Sequence, residues 1–174
     1  LVQKTEVSPD TRRFRFALQS PDHRLGLPIG HHMFLEAIIN DTLVIRQYTP
    51  VSSDDDLGYF DLVIKVYFAN VHPKFPAGGK MSQHLESLEI GDYIKVKGPL
   101  GHFEYKGRGH FLVHGEDRSA RKIGLICGGT GITPAYQVMK AVAKDSEDTT
   151  EVTLLYANKT EDDRSEERRV GKEC

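Results

Sequence analysis

The hydrophobic pattern of the chain changes near Arg118, and this change constrains the fold more than any other feature of the sequence. Before about His114, apolar residues recur at every second position in short stretches separated by turn residues, which is typical of antiparallel strands. After Arg118, the continuous apolar run 123–127 leads into a glycine-rich loop, which is typical of a buried parallel strand. The sequence therefore predicts a mainly β domain at residues 1–115, followed by a truncated α/β domain at residues 119–163.

The first domain is predicted to contain at least six antiparallel strands and one short helix. The predicted strands are residues 4–7, 13–18, 32–39, 42–48, 59–68, 93–97, 103–105 and 111–114. In the longest of them, one face carries Phe60, Leu62, Ile64, Val66 and Phe68. The helix is predicted at residues 82–88, with Leu85 and Leu88 on its buried side. Many short strands with a single helix predict a closed or nearly closed antiparallel Greek-key barrel.

The second domain is predicted to begin a doubly wound sheet. Strand 123–127, a helix opened by Pro134 and strand 152–156 form one βαβ unit. Two strands cannot cover both faces of such a unit, so apolar surface is expected to be exposed in this half.

The two ends of the chain are expected to be cut. The first residue is Leu1 rather than methionine. Residues 164–174 show no apolar periodicity and are predicted to be a foreign tail that resembles a translated sequencing adapter. A genuine charged tail is the alternative.

Composition excludes several classes of function. The formal net charge is -2, whereas a protein that binds nucleic acid needs a basic surface. No apolar run reaches the roughly 20 residues that cross a bilayer, so no membrane partner is expected. Two cysteines, Cys127 and Cys174, cannot form a disulfide framework, which favours a reducing compartment, the cytoplasm. His31 and His32 would point to opposite faces of a strand, and the other histidines lack ligand spacing, so no metal site is expected.

The first motif with a chemical meaning is RQYTPVS at residues 46–52. On a strand, Arg46 and Tyr48 project from the same face. A guanidinium beside an aromatic ring suits a ligand that carries both phosphate and a flat conjugated system. An ordinary edge strand with a surface arginine and a turn at Pro50 is the alternative.

The second motif is GGKMSQHL at residues 78–85. Its two glycines allow the backbone to approach a ligand closely, and Ser82 is predicted to be the N-cap of the helix. The amides at the start of that helix would form an anion site suited to a pyrophosphate. The spacing differs from that of a Walker P-loop, and a glycine turn that only caps the helix is the alternative.

The third motif is GGTGITP at residues 128–134, between the buried strand and the helix. Open α/β sheets bind dinucleotides at this position, the carboxyl end of the first strand. The glycines do not follow the G-x-G-x-x-G spacing, and a glycine-rich turn for tight helix packing is the alternative.

These three motifs, in this order and on these elements, resemble the ferredoxin–NADP reductase superfamily, in the branch of cytochrome b5 reductase and the flavin domain of assimilatory nitrate reductase. In that superfamily, R-x-Y-[TS]-x-x-S is the flavin motif and G-G-x-G-I-T-P is the nicotinamide motif. Residues 59–88 match both members of the branch almost throughout. Residues 98–102, 111–115 and 156–163 favour nitrate reductase. The resemblance covers residues 1–163.

The resemblance implies a role for each residue that matches the family's motifs. Arg46 would bind the FAD pyrophosphate, Tyr48 would pack along the ribityl chain and the flavin, and Thr49 would bond near flavin N5. Lys65 would also steer the anionic nicotinamide cofactor, and with Thr49 it is the implied catalytic pair. The full set of implied cofactor-binding residues is Arg46, Tyr48, Thr49, Ser52, Val63, Lys65, Tyr67, Phe68, Phe75, Gly79, Lys80, Met81, Ser82, Gly129, Thr130 and Thr133.

The resemblance also implies an FAD-containing oxidoreductase that uses NADH as its substrate. Electrons would pass from NADH through FAD to a b5-type haem domain, as the reductase part of an enzyme that reduces nitrate to nitrite in nitrate assimilation. Haem and molybdopterin would belong only to missing upstream domains, and the full-length enzyme is expected to be a homodimer. The alternatives are a free-standing NADH–cytochrome b5 reductase and a non-catalytic nucleotide-binding module.

Overall fold

The computed structural model describes residues 1–158, and this part of the chain forms eleven β-strands and two α-helices. The strands are β1 (Gln3–Ser8), β2 (Thr11–Ala17), β3 (His32–Ile39), β4 (Thr42–Tyr48), β5 (Tyr59–Lys65), β6 (Lys95–Leu100), β7 (Phe103–Gly107), β8 (His110–Val113), β9 (Glu116–Ser119), β10 (Lys122–Gly128) and β11 (Glu151–Ala157). The helices are α1 (Lys80–Ser87) and α2 (Ile132–Lys144), and a short 3-10 turn, Gly129–Gly131, precedes α2. The predicted foreign tail, Cys174 and the family match at 159–163 lie outside the described residues.

The predicted class, mainly β with antiparallel sheets, is confirmed. Three separate three-stranded antiparallel sheets have the orders β1-β2-β5, β4-β3-β6 and β7-β8-β9. The prediction allowed a closed or nearly closed barrel, and within residues 1–158 the barrel is not closed, because each hydrogen-bonded ladder stops at three strands. Helix α1 lies against β3 and β4, so a helix rather than a further strand pair covers that side of the core.

One hydrophobic core is shared by the first two sheets and α1. Its buried side chains include three residues of the predicted stripe, Phe60, Leu62 and Ile64, and both predicted leucines, Leu85 and Leu88. The members of this cluster are Leu1, Phe14, Phe16, Met33, Leu35, Val44, Phe60, Leu62, Ile64, Met81, Leu85 and Leu88. Because β4, β5 and α1 all bury one face here, their opposite faces and ends are free to form a site.

The end of β5 differs from the prediction because of its pairing partner. Strand β5 ends at Lys65, not at Phe68, since its ladder with β2 begins at the pair Thr11–Lys65. Beyond it, the Val66 amide donates to the carbonyl of Asp10 in the β1–β2 turn at 2.6 Å.

Strand β6 lies later in the chain than predicted. It spans Lys95–Leu100 because Leu100 pairs with His32 at the start of β3, while Tyr93 is 94% exposed outside the ladder. Strand β9 was not predicted, since all four of its residues, EDRS, are exposed and show no apolar alternation.

The predicted βαβ unit is confirmed. Strands β10 and β11 pair in parallel, and α2 connects them. Helix α2 begins at Ile132 rather than at Pro134. Pro134 therefore lies in the first turn, where a backbone amide would have no intrahelical partner, so the helix tolerates a proline there. Apolar exposure is also confirmed, since Ile126 is 84% and Leu155 is 65% exposed. Neither helix within residues 1–158 has the length and apolar character of a membrane span.

Candidate cofactor site

A cavity of about 610 Å³ lies where the ends of β4 and β5, the start of α1 and the loop before α2 meet. This volume falls in the range typical of small-molecule sites. The structure brings twelve of the predicted site residues to its lining: Arg46, Tyr48, Thr49, Val63, Lys65, Tyr67, Gly79, Lys80, Met81, Ser82, Thr130 and Thr133. All three sequence motifs therefore contribute to one cavity.

Strand β4 supplies a cation and an aromatic ring from one face, as predicted. The Arg46 guanidinium is exposed and donates to the carbonyl of Ile45 at 2.7 Å. Burial raises the pKa of Tyr48 to about 12, against the effect of the nearby Arg46 charge, so this phenol stays neutral at physiological pH. Thr49, the next residue, is buried. The strand thus presents a positive charge at the rim of the cavity and neutral polar groups further inside.

The turn before α1 requires glycine at position 78. Gly78 has a φ of +68°, and a Cβ atom there would lie 2.4 Å from the carbonyl oxygen of Tyr67. The Gln83 side chain holds this turn, since its nitrogen donates to the carbonyl of Ala77 at 2.9 Å and its oxygen accepts from the amide of Ala69 at 3.1 Å. The turn can therefore pack closely against the backbone of Tyr67 only because position 78 has no side chain.

The prediction that Ser82 is the N-cap of α1 is wrong. The helix begins at Lys80, so its N-cap is Gly79, which forms no side-chain capping bond, and Ser82 is the third helical residue. The Ser82 hydroxyl instead accepts from the amide of Tyr67 at 3.2 Å and donates to the carbonyl of Gly79 at 3.1 Å. It therefore fixes the start of the helix against the chain that follows β5.

The positive potential of the cavity comes from three side chains and one helix terminus. Arg46, Lys65 and Lys80 all line it. The Lys65 ammonium lies 2.8 Å from the carboxylate of Asp10. The first amides of α1 have no intrahelical partners, and the helix dipole adds partial positive charge at this end. These groups are suited to a pyrophosphate.

The cavity accordingly fits a dinucleotide that carries a pyrophosphate and a flat ring system. The turn that borders it is built closely from Gly78 and Gly79: a Cβ atom at Gly78 would clash with the Tyr67 carbonyl, and one at Gly79 would lie 2.5 Å from the Ser82 hydroxyl. The rings of Tyr48 and Tyr67 offer aromatic surface on the same lining, and Tyr67 is half exposed.

Four predicted residues do not line the cavity. They are Ser52, Phe68, Phe75 and Gly129. The Ser52 hydroxyl accepts from the Asp61 amide at 2.9 Å, and Phe75 is 67% exposed with its ring 5.2 Å from that of His72. Phe68 is only half-buried, and the carbonyl of Gly129 accepts from the Tyr156 hydroxyl at 3.0 Å. Cofactor roles for these four remain predictions.

The sequence did not predict six residues of the lining: His32, Gln47, Ile64, Gly78, Gly131 and Pro134. In the sequence, His32 suggests only a metal ligand. The hairpin register would have found it, because Met33 pairs with Tyr48 and places His32 beside the end of β4. Burial lowers the pKa of His32, and the neighbouring His31 and His102 lower it further, so its imidazole is largely neutral at pH 7.

Within residues 1–158, no three His, Cys, Asp or Glu side chains are placed to share a metal ion. Cys127 is a free, half-buried thiol on β10, and burial raises its pKa, so it stays protonated.

Comparison with known proteins gives matches to two protein families and to solved structures. Residues 1–105 match the oxidoreductase FAD-binding domain family, and residues 125–169 match the oxidoreductase NAD-binding domain family. Nitrate reductase (NADH) 1 of Nicotiana tabacum is 60% identical over 163 residues, and nitrate reductase (NADH) of Solanum lycopersicum is 59% identical. Each alignment covers 94% of this chain but only 18% of the relative's length.

Among solved structures, the cytochrome b5 reductase domain of Ulva prolifera nitrate reductase has a TM-score of 0.91 and 50% identity. That match covers 94% of this chain and 62% of the other. The CS-b5R domains of human Ncb5or match with a TM-score of 0.71 and 27% identity, over 97% of this chain and 45% of the other.

Proposed function

The chain belongs to the oxidoreductase FAD-binding domain family, and on this premise we propose that its cavity binds FAD and that the protein transfers electrons from NADH to that flavin. The observation that carries the proposal is the meeting of three motifs in one cavity. The β4 motif, the glycine turn of α1 and the loop before α2 contribute to the same lining, although more than 80 residues separate Arg46 from Thr130 in the chain.

The residues of this cavity divide into those that would bind phosphate and those that would bind a ring. Arg46 and the first amides of α1 are the groups suited to the FAD pyrophosphate. Tyr48 and Tyr67 are suited to the ribityl chain and the flat ring, and Thr49 would donate to a ring heteroatom. When bound, FAD supplies the hydride-accepting chemistry, which no protein side chain can supply.

The other wall of the cavity would hold the nicotinamide. Thr130 and Thr133 come from the loop and first turn of α2, and the Thr133 hydroxyl donates to the carbonyl of Thr130 at 3.3 Å. They share the lining with Thr49, so the nicotinamide on one wall would be held facing the flavin on the other. Positioning of this kind, rather than acid–base chemistry, is the contribution expected from the protein.

The larger proposal is that the chain is the FAD- and NADH-binding part of an assimilatory NADH nitrate reductase. The 60% identity with a tobacco nitrate reductase supports it, compared with 27% for the human b5 reductase-like structure. The chain spans 18% of that relative's length, so the b5-type haem that accepts the electrons, the molybdopterin and nitrate reduction itself belong to other segments. A cytoplasmic location and a homodimeric enzyme are part of the same proposal.

Expression of the chain and analysis of its bound cofactor test the proposal. The purified protein should be yellow, should release FAD on denaturation, and should lose its flavin absorbance when NADH is added without oxygen. A separately purified b5-type haem domain of a nitrate reductase should then be reduced in the same mixture. A folded, colourless chain that takes up no added FAD would contradict the proposal at its first step.

A further inference from the structure

The side-chain amide of Gln137 joins three segments of the cavity wall. Gln137 lies on α2 and is only 9% exposed. Its oxygen accepts from the amide of Gly30 at 2.9 Å, and its nitrogen donates to the carbonyl of Pro50 at 3.1 Å. Each end of one neutral side chain is thus bonded to a different loop of the β domain.

Each of these bonds lies next to a residue of the cavity lining. Gly30 is two residues before His32, and Pro50 directly follows Thr49. Gln137 itself is four residues after Thr133, so the two side chains lie on the same face of α2, one turn apart. The amide therefore links the start of β3, the end of β4 and the start of α2.

Two lysines also hold α2 against the β domain, but in a different way. Lys140 lies 3.3 Å from the carboxylate of Asp56, and Lys144 forms an ion pair with Asp55. These pairs are partly exposed, so they are screened by salt and tolerate changes in geometry. The buried amide of Gln137 has a directional donor and a directional acceptor, so it determines where α2 sits and not merely that it is attached.

We propose that Gln137 is a positioning residue for hydride transfer. Its amide holds the start of α2 at a fixed place relative to Thr49, and so sets the separation between a nicotinamide on one wall and the flavin on the other. The inference rests on the proposed function. Gln137 is not among the residues that line the cavity, so it would contact neither ring.

Two substitutions of similar size distinguish the contributions of the two hydrogen bonds that Gln137 forms. Gln137→Leu removes both and leaves the Gly30 amide and the Pro50 carbonyl without this partner. Gln137→Glu keeps an acceptor for Gly30. Its carboxylate cannot donate to Pro50, whereas its protonated form can. Gln3→Leu is the matched control, since Gln3 is an exposed glutamine on β1, away from the cavity.

The experiment compares these variants in the FAD-loaded protein by three measurements. They are the affinity for FAD, hydrogen exchange at the Gly30 amide, and the anaerobic reduction of flavin over a range of NADH concentrations. In Gln137→Leu, exchange at Gly30 should be about tenfold faster. The limiting rate of flavin reduction should fall by roughly ten- to a hundredfold. The half-saturating NADH concentration and the FAD affinity should each change by less than about threefold, because the binding groups are untouched.

The pH profile of Gln137→Glu distinguishes positioning from loss of structure. Its limiting rate should rise towards that of the parent as pH falls through the pKa of the new carboxyl, since the acid form restores the donor to Pro50. A limiting rate in Gln137→Leu equal to that of the parent, or a fall that follows loss of FAD, would overturn the inference while leaving the proposed function intact. A parent protein that binds no FAD or is not reduced by NADH would instead overturn the proposed function.

Discussion

The hydroxyl of Tyr105 donates a 2.6 Å hydrogen bond to the carboxylate of Asp148, and this bond ties β7 to the turn between α2 and β11. The same carboxylate accepts from the amides of Arg108 at 2.8 Å and Thr150 at 3.0 Å. Tyr105 is buried, and its hydroxyl also accepts from the amide of Gly109 at 3.0 Å. One acidic side chain thus anchors the βαβ unit on the third sheet.

The Asp148 contacts predict a specific dependence of stability on pH. Burial alone would raise the pKa of Asp148, but hydrogen bonds from Thr150, Tyr105 and the backbone outweigh it and lower the pKa to about 2. Because the folded pKa is below the ordinary value of 3.8, the stabilisation is complete above about pH 4 and is lost as pH falls towards 2. Asp148→Asn should therefore lower the free energy of unfolding by about 1 to 2 kcal/mol at pH 7, with screening allowed for.

Urea unfolding of the parent and Asp148→Asn between pH 7 and pH 2 measures this difference. The two proteins should converge as pH approaches 2. Asp117→Asn, on the exposed strand β9, is the control and should match the parent throughout. A difference for Asp148→Asn that stays constant across the range would show that its charge plays no part.

The glycine turn before α1 gives a prediction about both folding and cofactor binding. Gly78→Ala should destabilise the protein by about 1 to 3 kcal/mol, because it combines a positive φ with a clash against the Tyr67 carbonyl. The backbone shift should also weaken FAD binding, by about tenfold or more, since the α1 amides would move with the turn. Gly91→Ala is the matched control: its φ is +103°, but no atom lies within 4 Å of the new Cβ. Calorimetry and FAD titration should separate the two variants, and equal FAD affinities would count against the turn as a phosphate site.

Arg46 should matter for the cofactor and not for the fold. Its guanidinium is exposed and bonded only to a neighbouring carbonyl among the contacts described, so Arg46→Ala should change the free energy of unfolding by less than about 0.5 kcal/mol. Loss of a charged bond to phosphate should raise the dissociation constant of FAD by about ten- to a hundredfold. Arg46→Lys should recover part of this loss, because a lysine keeps the charge but not the planar fork. Arg118→Ala, an exposed arginine on β9, is the control, and a variant Arg46→Ala that retains FAD like Arg118→Ala would refute the assigned role.

The sequence predicted those elements whose hydrophobic pattern reflects a buried face. Strands β3 and β4 have the predicted bounds, and the stripe from Phe60 to Val66 is buried as expected. Strand β9 could not be predicted, since it pairs with β8 through the backbone while its side chains all face solvent. The lack of barrel closure could not be predicted either. The number of strands does not say whether a helix such as α1, rather than two further paired strands, covers one side of the core.

The sequence predicted site residues whose type and spacing suit few roles, such as an arginine beside an aromatic ring. It did not predict residues such as serine and glutamine, which serve many structural roles. An arginine and a tyrosine two residues apart on a strand identified Arg46 and Tyr48 correctly as neighbours on one cavity. Ser52 belongs to the same motif, yet its hydroxyl accepts from the Asp61 amide on β5, a contact that depends on how the loop between β4 and β5 folds back. Gln137 gave no signal at all, because a glutamine on an amphipathic helix is normally a surface residue.

The ion pair between Lys65 and Asp10 leads to a prediction about charge in the cavity. Lys65 lines the cavity, and its ammonium lies 2.8 Å from the Asp10 carboxylate in the β1–β2 turn. Asp10→Asn would remove the negative charge and leave the cavity more positive, so an anionic dinucleotide should bind more tightly, by less than about fivefold at low ionic strength. The gain should vanish in high salt, because the pair is near the surface and its field is screened. FAD titrations at two salt concentrations measure it, with Asp41→Asn in the exposed β3–β4 turn as a control of equal charge change. Weaker binding by Asp10→Asn at both salt concentrations would mean instead that Asp10 holds Lys65 in its binding position.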